Sequence, residues 1–314
     1  MSVRQVCVTG GAGFIGSHLS RRLLQEGLRV RILDNLATGT AANLPPEAEF
    51  LRGDALNPDD CRRAVSGCDV VVHLAARVAI RSSFDFVVED AMTNVCGTAS
   101  VLRAAAQSGS VRKVLFASSM AVYADAPSPR PIPETHPTVP LSPYGISKLA
   151  GEQLTHTLAA KSGMKSVVLR LFNTYGTGQQ FSPYVGVVTI FAKQLSRGEQ
   201  PVIYGDGEQA RDFVHVSDVV EGFVCALRAE LSGETFNIGS GRPTTVNEVY
   251  ATVARVAGAA TPPVHADAVA GELRYSVADI SKARAMLGYE PSHRFDLAAP
   301  AVIRSIMNGE GARP

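Results

Sequence analysis

A doubly wound parallel α/β sheet of Rossmann type, joined to a smaller mixed α/β substrate-binding domain, is the fold this sequence predicts. Three observations carry the prediction. An apolar run at the N-terminus feeds directly into a glycine-rich turn and an amphipathic helix. Strand-like and helix-like periodicities then alternate as far as Leu171. After Asn173 the alternation gives way to segments rich in Gly, Pro and Tyr, which predicts a second domain closing over the first.

Taken in order, strands are expected at residues 4–8, 29–33, 49–51, 70–74, 113–117 and 166–171, with helical patterns between most of them. Val6-Cys7-Val8 is followed by Gly10, Gly13 and Gly16, spaced Gly-x-x-Gly-x-x-Gly. Such glycines permit a tight turn, let backbone approach a pyrophosphate and allow close helix–strand packing. The next helix carries Phe14, Ile15, Leu19, Leu23 and Leu24 at helical spacing and stops at Gly27; its N-terminus suits an anion. The second strand ends in Asp34, 18 residues beyond Gly16, where a carboxylate accepts hydrogen bonds from ribose hydroxyls and repels a 2′-phosphate. NAD rather than NADP is therefore the expected cofactor. A glycine-rich turn without a ligand is the competing reading, and the register of strand, helix and acid weighs against it.

Seven prolines between Pro127 and Pro143 predict an extended loop leading to the next helix. Ser142-Pro143 supplies a hydroxyl cap and a proline at the first helical position. Tyr144 and Lys148 then share one helix face at i and i+4, and the ammonium is expected to pull the phenol below its usual pKa near ~10. A Tyr and a Lys four apart also occur by chance on helix surfaces. Ser118 and Ser119 end the strand before the proline-rich loop, where open α/β sheets place ligands; either hydroxyl could instead satisfy backbone groups in a turn. In the second domain Thr245-x-x-Glu248 reads as a capping box opening a helix with Val249, Tyr250, Val253 and Val256 inward.

With these residues in place, the chain resembles the extended short-chain dehydrogenase/reductases, specifically the NAD-dependent nucleotide-sugar epimerases and dehydratases, and within them the UDP-hexose 4-epimerases. The resemblance runs through TGGAGFIGSHL from Thr9, DNLATG from Asp34, GDAL from Gly53, HLAA from His73, SSMAVY from Ser118, YGISK from Tyr144, RLFNTYG from Arg170 and RDFVHVSDV from Arg211. It implies that Ser119, Tyr144 and Lys148 are catalytic. It implies NAD contacts from Gly10, Gly13, Phe14, Ile15, Asp34, Asn35, Asp54, Ala55, Leu74, Ala75 and Ala76, besides Tyr144 and Lys148. Substrate contacts are implied for Asn173, Val188, Tyr204, Arg211, Arg274 and Ser276, besides Ser119 and Tyr144, with the two arginines clamping a diphosphate. For Arg274 an exposed surface charge is the alternative. His73 and His215, each among apolar neighbours, are expected to be structural.

The resemblance also implies residues 1–173 as the NAD-binding domain, with 211–230 returning to it, and 174–314 as the nucleotide-sugar-binding domain. Its members oxidise a sugar hydroxyl, most often at C4, and differ in the fate of the keto sugar. The dehydratases need an Asp-Glu pair after the catalytic hydroxyl, and here Met120 and Ala121 stand there. The decarboxylases' glutamate is absent at about that place, and no Cys or His pair for a reductase stands beside Ser119. A 4-epimerase of UDP-glucose and UDP-galactose, and of UDP-N-acetylhexosamines, is the expected activity. UDP-glucuronate epimerisation remains open through Arg77 or Arg81, as do a dehydratase or decarboxylase and an NAD-sensing protein without catalysis.

Composition fits. The chain has 314 residues, 46% hydrophobic and 19% charged, with net charge +1, which argues against nucleic acid or anionic membrane as partner. No apolar stretch approaches the ~18 residues of a membrane span, and the first strand begins too early to leave room for a signal peptide. Cys7, Cys61, Cys68, Cys96 and Cys225 have no metal-ligand spacing and are expected to be buried thiols in a reducing cytoplasm. A homodimer is the expected assembly of the resembled family.

Overall fold

The computed structural model describes residues 3–78, 80–126, 129–179, 186–268 and 274–308. Pro127 of the proline-rich loop, and Gly271, Glu272 and Leu273 before Arg274, lie outside the described residues.

The first half alternates as its periodicities require. β1 (Gln5–Thr9), α1 (Phe14–Gln25), β2 (Arg29–Asp34), β3 (Glu49–Arg52), α2 (Pro58–Val65) and β4 (Val70–His73) come first. They are followed by α3 (Val87–Ala91), a π-helical turn (Met92–Gly97), α4 (Thr98–Gln107), β5 (Lys113–Ser119), α5 (Pro143–Lys161) and β6 (Lys165–Leu171). Then come β7 (Asn173–Tyr175), α6 (Val187–Ser196), β8 (Val202–Tyr204), β9 (Ala210–His215), α7 (Val216–Arg228), β10 (Glu234–Ile238) and β11 (Pro243–Thr245). The chain ends with α8 (Val246–Ala257), β12 (Val264–Ala266), β13 (Tyr275–Ser276), α9 (Ser281–Leu287) and α10 (Phe295–Met307).

Seven strands form one parallel sheet in the order β10-β6-β5-β4-β1-β2-β3. Order reverses between β1 and β4, and the crevice beyond their carboxyl ends is where such sheets bind ligands. β1, β4 and β5 are buried along their whole length, so their Val-rich runs face helices on both sides. All six expected strands are present, each within a residue or two of its expected bounds. The seventh, β10, has only Phe236 and Ile238 as apolar residues and no apolar run announces it; both are fully buried beside β6. α7 packs on α1.

A second, mixed assembly surrounds β9, which pairs with β11 antiparallel and with β7 and β13 in parallel. β8 and β12 form a separate parallel pair. Val188, Phe191, Phe213, Val249, Phe295 and Ile303 form its apolar core between α6, α8 and α10. The capping box of α8 is present: Thr245 Oγ1 accepts from Glu248 N at 3.1 Å and Glu248 Oε2 from Thr245 N at 2.7 Å. One expectation is corrected. Cys7, Cys61 and Cys68 are buried, but Cys96, on the π-helical turn, is exposed and Cys225 only half-buried; all five are free thiols.

Candidate active site

The glycine turn is built as its spacing requires. Gly10 holds φ +72°, and a Cβ there would sit 2.7 Å from Ala75 N on the neighbouring β4 loop. A Cβ on Gly16 would lie 2.1 Å from Gly10 O, so helix and turn can close only with glycine at both. Gly13, the N-cap of α1, brings no side chain to the first turn. Phe14 and Ile15 open the helix there, and a helix N-terminus of this kind suits an anion.

The remaining cofactor candidates follow the carboxyl ends of β2, β3 and β4. Asp34 is buried; one oxygen accepts from Ala12 N at 3.0 Å and the other from Leu36 N at 2.8 Å. It therefore ties the glycine turn to the β2 loop. Asn35 Nδ2 donates to Asp54 Oδ2 at 3.0 Å, and Ala55 follows on the β3 loop. Leu74 N and Ala75 N donate to Thr9 O and Thr9 Oγ1 at 3.1 and 3.2 Å, which keeps Leu74, Ala75 and Ala76 against the turn. The residues fit NAD.

At the end of β5, Ser119 Oγ accepts from Ala121 N at 3.2 Å, and its hydroxyl is near enough to Tyr144 to favour the phenolate. α5 begins as expected: Ser142 Oγ caps Gly145 N at 3.1 Å and Pro143 occupies the first turn. Tyr144 and Lys148 lie on its buried face, with the Lys148 ammonium 4.5 Å over the Phe116 ring. The expected lowering of the Tyr144 pKa is not what the structure shows. Burial pushes the phenol up to about 12, Ser119 opposes that rise, and Asp90 adds to it. Burial likewise pushes Lys148 down to about 8 against the pull of Glu152 and Asp90. The i,i+4 spacing brings the ammonium to the right face, but that face is dry, and loss of hydration governs the phenol.

Ser118 is structural: its hydroxyl donates to Glu152 Oε1, which together with Oε2 receives Arg170 Nε and Nη2 at 2.9 and 2.7 Å. This buried pair clamps α5 to β6. His73 is satisfied by Thr9 Oγ1 at 2.6 Å and Thr98 Oγ1 at 2.9 Å, and burial drives its pKa down to about 3. His215 caps α7 and stacks on His293 at 4.4 Å, with its pKa pushed down to about 4 by burial.

The substrate candidates divide. Ser276 stands directly across from Arg211 in the β13–β9 register, and its hydroxyl contacts Met120 Sδ at 3.5 Å, one residue past Ser119. Asn173 opens β7 beside Phe213 of β9, and its Oδ1 is buried without a partner, an acceptor that a ligand donor would satisfy. Val188 is buried in the first turn of α6. Tyr204 is half-open at the end of β8, with the Arg81 guanidinium 5.9 Å from its ring centroid. Arg274 instead lies exposed, bidentate to Asp206 at 3.2 and 2.7 Å. Arg77 lies over the Phe86 ring at 5.3 Å.

The sequence points to Arg211 but not to its neighbour Asp212, which is buried and accepts from Ser240 N, Ser240 Oγ, Gly241 N and Ala278 N at 2.7–3.1 Å. Four donors converging on one carboxylate fix the strand that presents Arg211. Nor does it point to Asp90 and Asn94, beside Tyr144 and Lys148; they sit in a segment with no motif signal.

Comparisons with known proteins identify the family. Residues 6–239 match the model of the NAD-dependent epimerase/dehydratase family. A UDP-glucose 4-epimerase of Mycolicibacterium smegmatis is 37% identical over 290 residues, covering 90% of this chain and 92% of that protein. The crystal structure of a UDP-glucose 4-epimerase of Thermotoga maritima with UDP-glucose superposes with TM-score 0.92 at 35% identity, covering 98% of this chain and 99% of that one. A UDP-glucose 4-epimerase of Thermus thermophilus in complex with NAD gives TM-score 0.89 at 36% identity, covering 96% and 98%. The chain belongs to the NAD-dependent epimerase/dehydratase family.

Proposed function

We propose that this chain is an NAD-dependent UDP-hexose 4-epimerase, interconverting UDP-glucose and UDP-galactose through a transient 4-keto sugar. The observation that carries this reading is the placement of Ser119, Tyr144 and Lys148 at the carboxyl end of β5, two strands from the glycine turn, with Met120 and Ala121 where other chemistries need acid/base groups. Bound NAD supplies a hydride acceptor and a cationic ring whose charge favours the phenolate. Tyr144 takes the C4 hydroxyl proton and returns it, Ser119 holds the same oxygen, and Lys148 anchors the nicotinamide ribose. The glycine turn with Phe14 and Ile15 holds the pyrophosphate, while Asp34, Asn35, Asp54 and Ala55 receive the adenosine and Leu74, Ala75 and Ala76 line the crevice.

Arg211 and Arg274 clamp the substrate diphosphate, which requires Arg274 to leave Asp206; an ion pair that exposed is readily exchanged. Asn173, Val188, Tyr204 and Ser276 line the sugar pocket, and the small Ser276 admits an N-acetyl group at C2. In this assignment residues 1–173 serve NAD, 211–230 return to them, and 174–314 serve the nucleotide sugar.

A homodimer is part of the proposal. Phe84, Val87, Val88, Met92, Leu141 and Ile146 are exposed apolar side chains around α3 and the start of α5, a surface suited to a second copy. Among the described residues no helix is long and apolar enough to cross a membrane. The free thiols support a reducing, cytoplasmic setting. Assay of UDP-, dTDP-, GDP- and CDP-hexoses, UDP-N-acetylhexosamines and UDP-glucuronate for C4 inversion tests the reading. Turnover of UDP-glucose and UDP-galactose supports it; turnover of UDP-glucuronate alone, or of no UDP-sugar, rejects it.

A further inference from the structure

Asp90 sits on α3, two residues before a break in helical regularity. Met92–Gly97 is a π-helical turn, and widened turns of this kind gather at functional sites. The turn carries Asn94 inward. Asn94 Oδ1 accepts from Arg77 N at 2.9 Å, and Nδ2 is shared among Arg77 O, Asp90 Oδ2 and Ser147 Oγ at 3.1, 3.0 and 3.2 Å. Asn94 thus ties the carboxylate of Asp90 to the residue just before Lys148. Asp90 is 3% exposed, and its second oxygen, Oδ1, is buried without a hydrogen-bond partner. A buried carboxylate in that condition needs a cation close by.

The groups around the Tyr144–Lys148 pair decide which cation that is. Glu152, one turn further along α5, is held bidentate by Arg170 from β6. His73, on β4, is fully buried and neutral, both ring nitrogens taken by threonine hydroxyls. The Arg77 guanidinium lies over the Phe86 ring, and Ser119 of β5 brings no charge. Lys148 remains, on the helix that α3 packs against; Glu152 and Asp90 both favour its charged form, and Asp90 acts on Tyr144 as well.

We propose that Asp90, steadied by Asn94, is a positioning residue whose carboxylate is the counter-charge for the Lys148 ammonium inside the closed site. The inference rests on Tyr144 and Lys148 being the catalytic pair. An epimerase returns to its substrate the proton it takes, so no path to solvent is needed. What the dry site does need is an ammonium that stays charged throughout turnover. Glu152 shares its charge with Arg170, whereas among the described residues Asp90 has no arginine partner.

Asp90 favours the protonated forms of both Lys148 and Tyr144, so its neutralisation moves both ionisations to lower pH. Asp90→Asn in the NAD-loaded enzyme should shift both limbs of the kcat/KM–pH profile for UDP-galactose downward by about 1 unit, with the melting temperature little changed. A fall in amplitude with the limbs unmoved, or a shift upward, overturns the proposal. Should Asp90→Asn fail to fold, Asp90→Glu, which keeps the carboxylate, decides: both limbs are expected to stay at their wild-type positions, and limbs that fall as for a lost charge overturn the proposal. Unmoved limbs together with an inactive Tyr144→Phe variant reject this inference alone; a fully active Tyr144→Phe rejects the catalytic pair beneath it.

Discussion

Replacing Lys148 with methionine separates what the side chain does for catalysis from what it costs the fold. The lysine is buried beside Phe116, and burial lowers its pKa from 10.5 to about 8 even with Glu152 and Asp90 nearby. At 1.36 kcal/mol per unit, the charged form costs the NAD-free protein ~3 kcal/mol at neutral pH. Methionine fills a similar volume without charge but gives up the cation–π contact with Phe116, about 1 kcal/mol. The shift to about 8 is already net of the attraction to Glu152 and Asp90, so a gain of ~2 kcal/mol remains. With an unfolding entropy near 2.1 cal/mol/K per residue over 314 residues, that is a rise of ~3 °C in melting temperature. Because the folded-state pKa lies below the unfolded value, the folded protein binds fewer protons between about 8 and 10.5, and stability rises with pH through that window. The penalty is therefore full below about 8 and gone above 10.5. Thermal denaturation of NAD-free wild type and Lys148→Met on both sides of the window is the assay. Lys148→Met should be the more stable protein at neutral pH, the difference should vanish at the alkaline end, and the variant should be inactive. A less stable variant at neutral pH, or a difference independent of pH, would refute the reasoning.

Other outcomes are expected from the same site. Tyr144→Phe should keep the fold and bind NAD while losing about 10²–10⁴-fold in turnover, and retention of most activity would show that Tyr144 is not the base. Direct binding should favour NAD clearly over NADP because the Asp34 carboxylate, fixed by Ala12 N and Leu36 N, repels a 2′-phosphate; equal affinities would place Asp34 away from the ribose. Ser276→Tyr should abolish turnover of UDP-N-acetylhexosamines and spare the plain hexoses. Equal loss of both, or a wild type without N-acetylhexosamine activity, would remove Ser276 from the sugar pocket.

The parts of this protein legible in its sequence are those whose physics is local. The glycine turn, the Ser142 cap, the Thr245 capping box and the six apolar strands each depend on residues a few positions apart, and each is present. What could not be read depends on the surroundings. β10 is a strand because β6 offers it an edge, and two buried apolar residues among polar ones carry no periodic signal of their own. The direction of the Tyr144 shift turns on how dry its helix face is, and sequence spacing reports neighbours without reporting water. Arg274 looks like a phosphate ligand in its motif, yet among the described residues it pairs with Asp206, 68 residues away in sequence. Asp90 carries no motif at all; only the π-helical turn and the packing of α3 on α5 bring it to the pair.

Whether C4 is inverted by a hydride that leaves and returns within the closed site is answered most directly by isotope. UDP-galactose deuterated at C4 would be incubated with the purified enzyme, without added cofactor, and the products observed by NMR. UDP-glucose carrying the deuterium at C4, with none lost to water, is the expected result. Loss of the label to solvent, or no UDP-glucose at all, would contradict it.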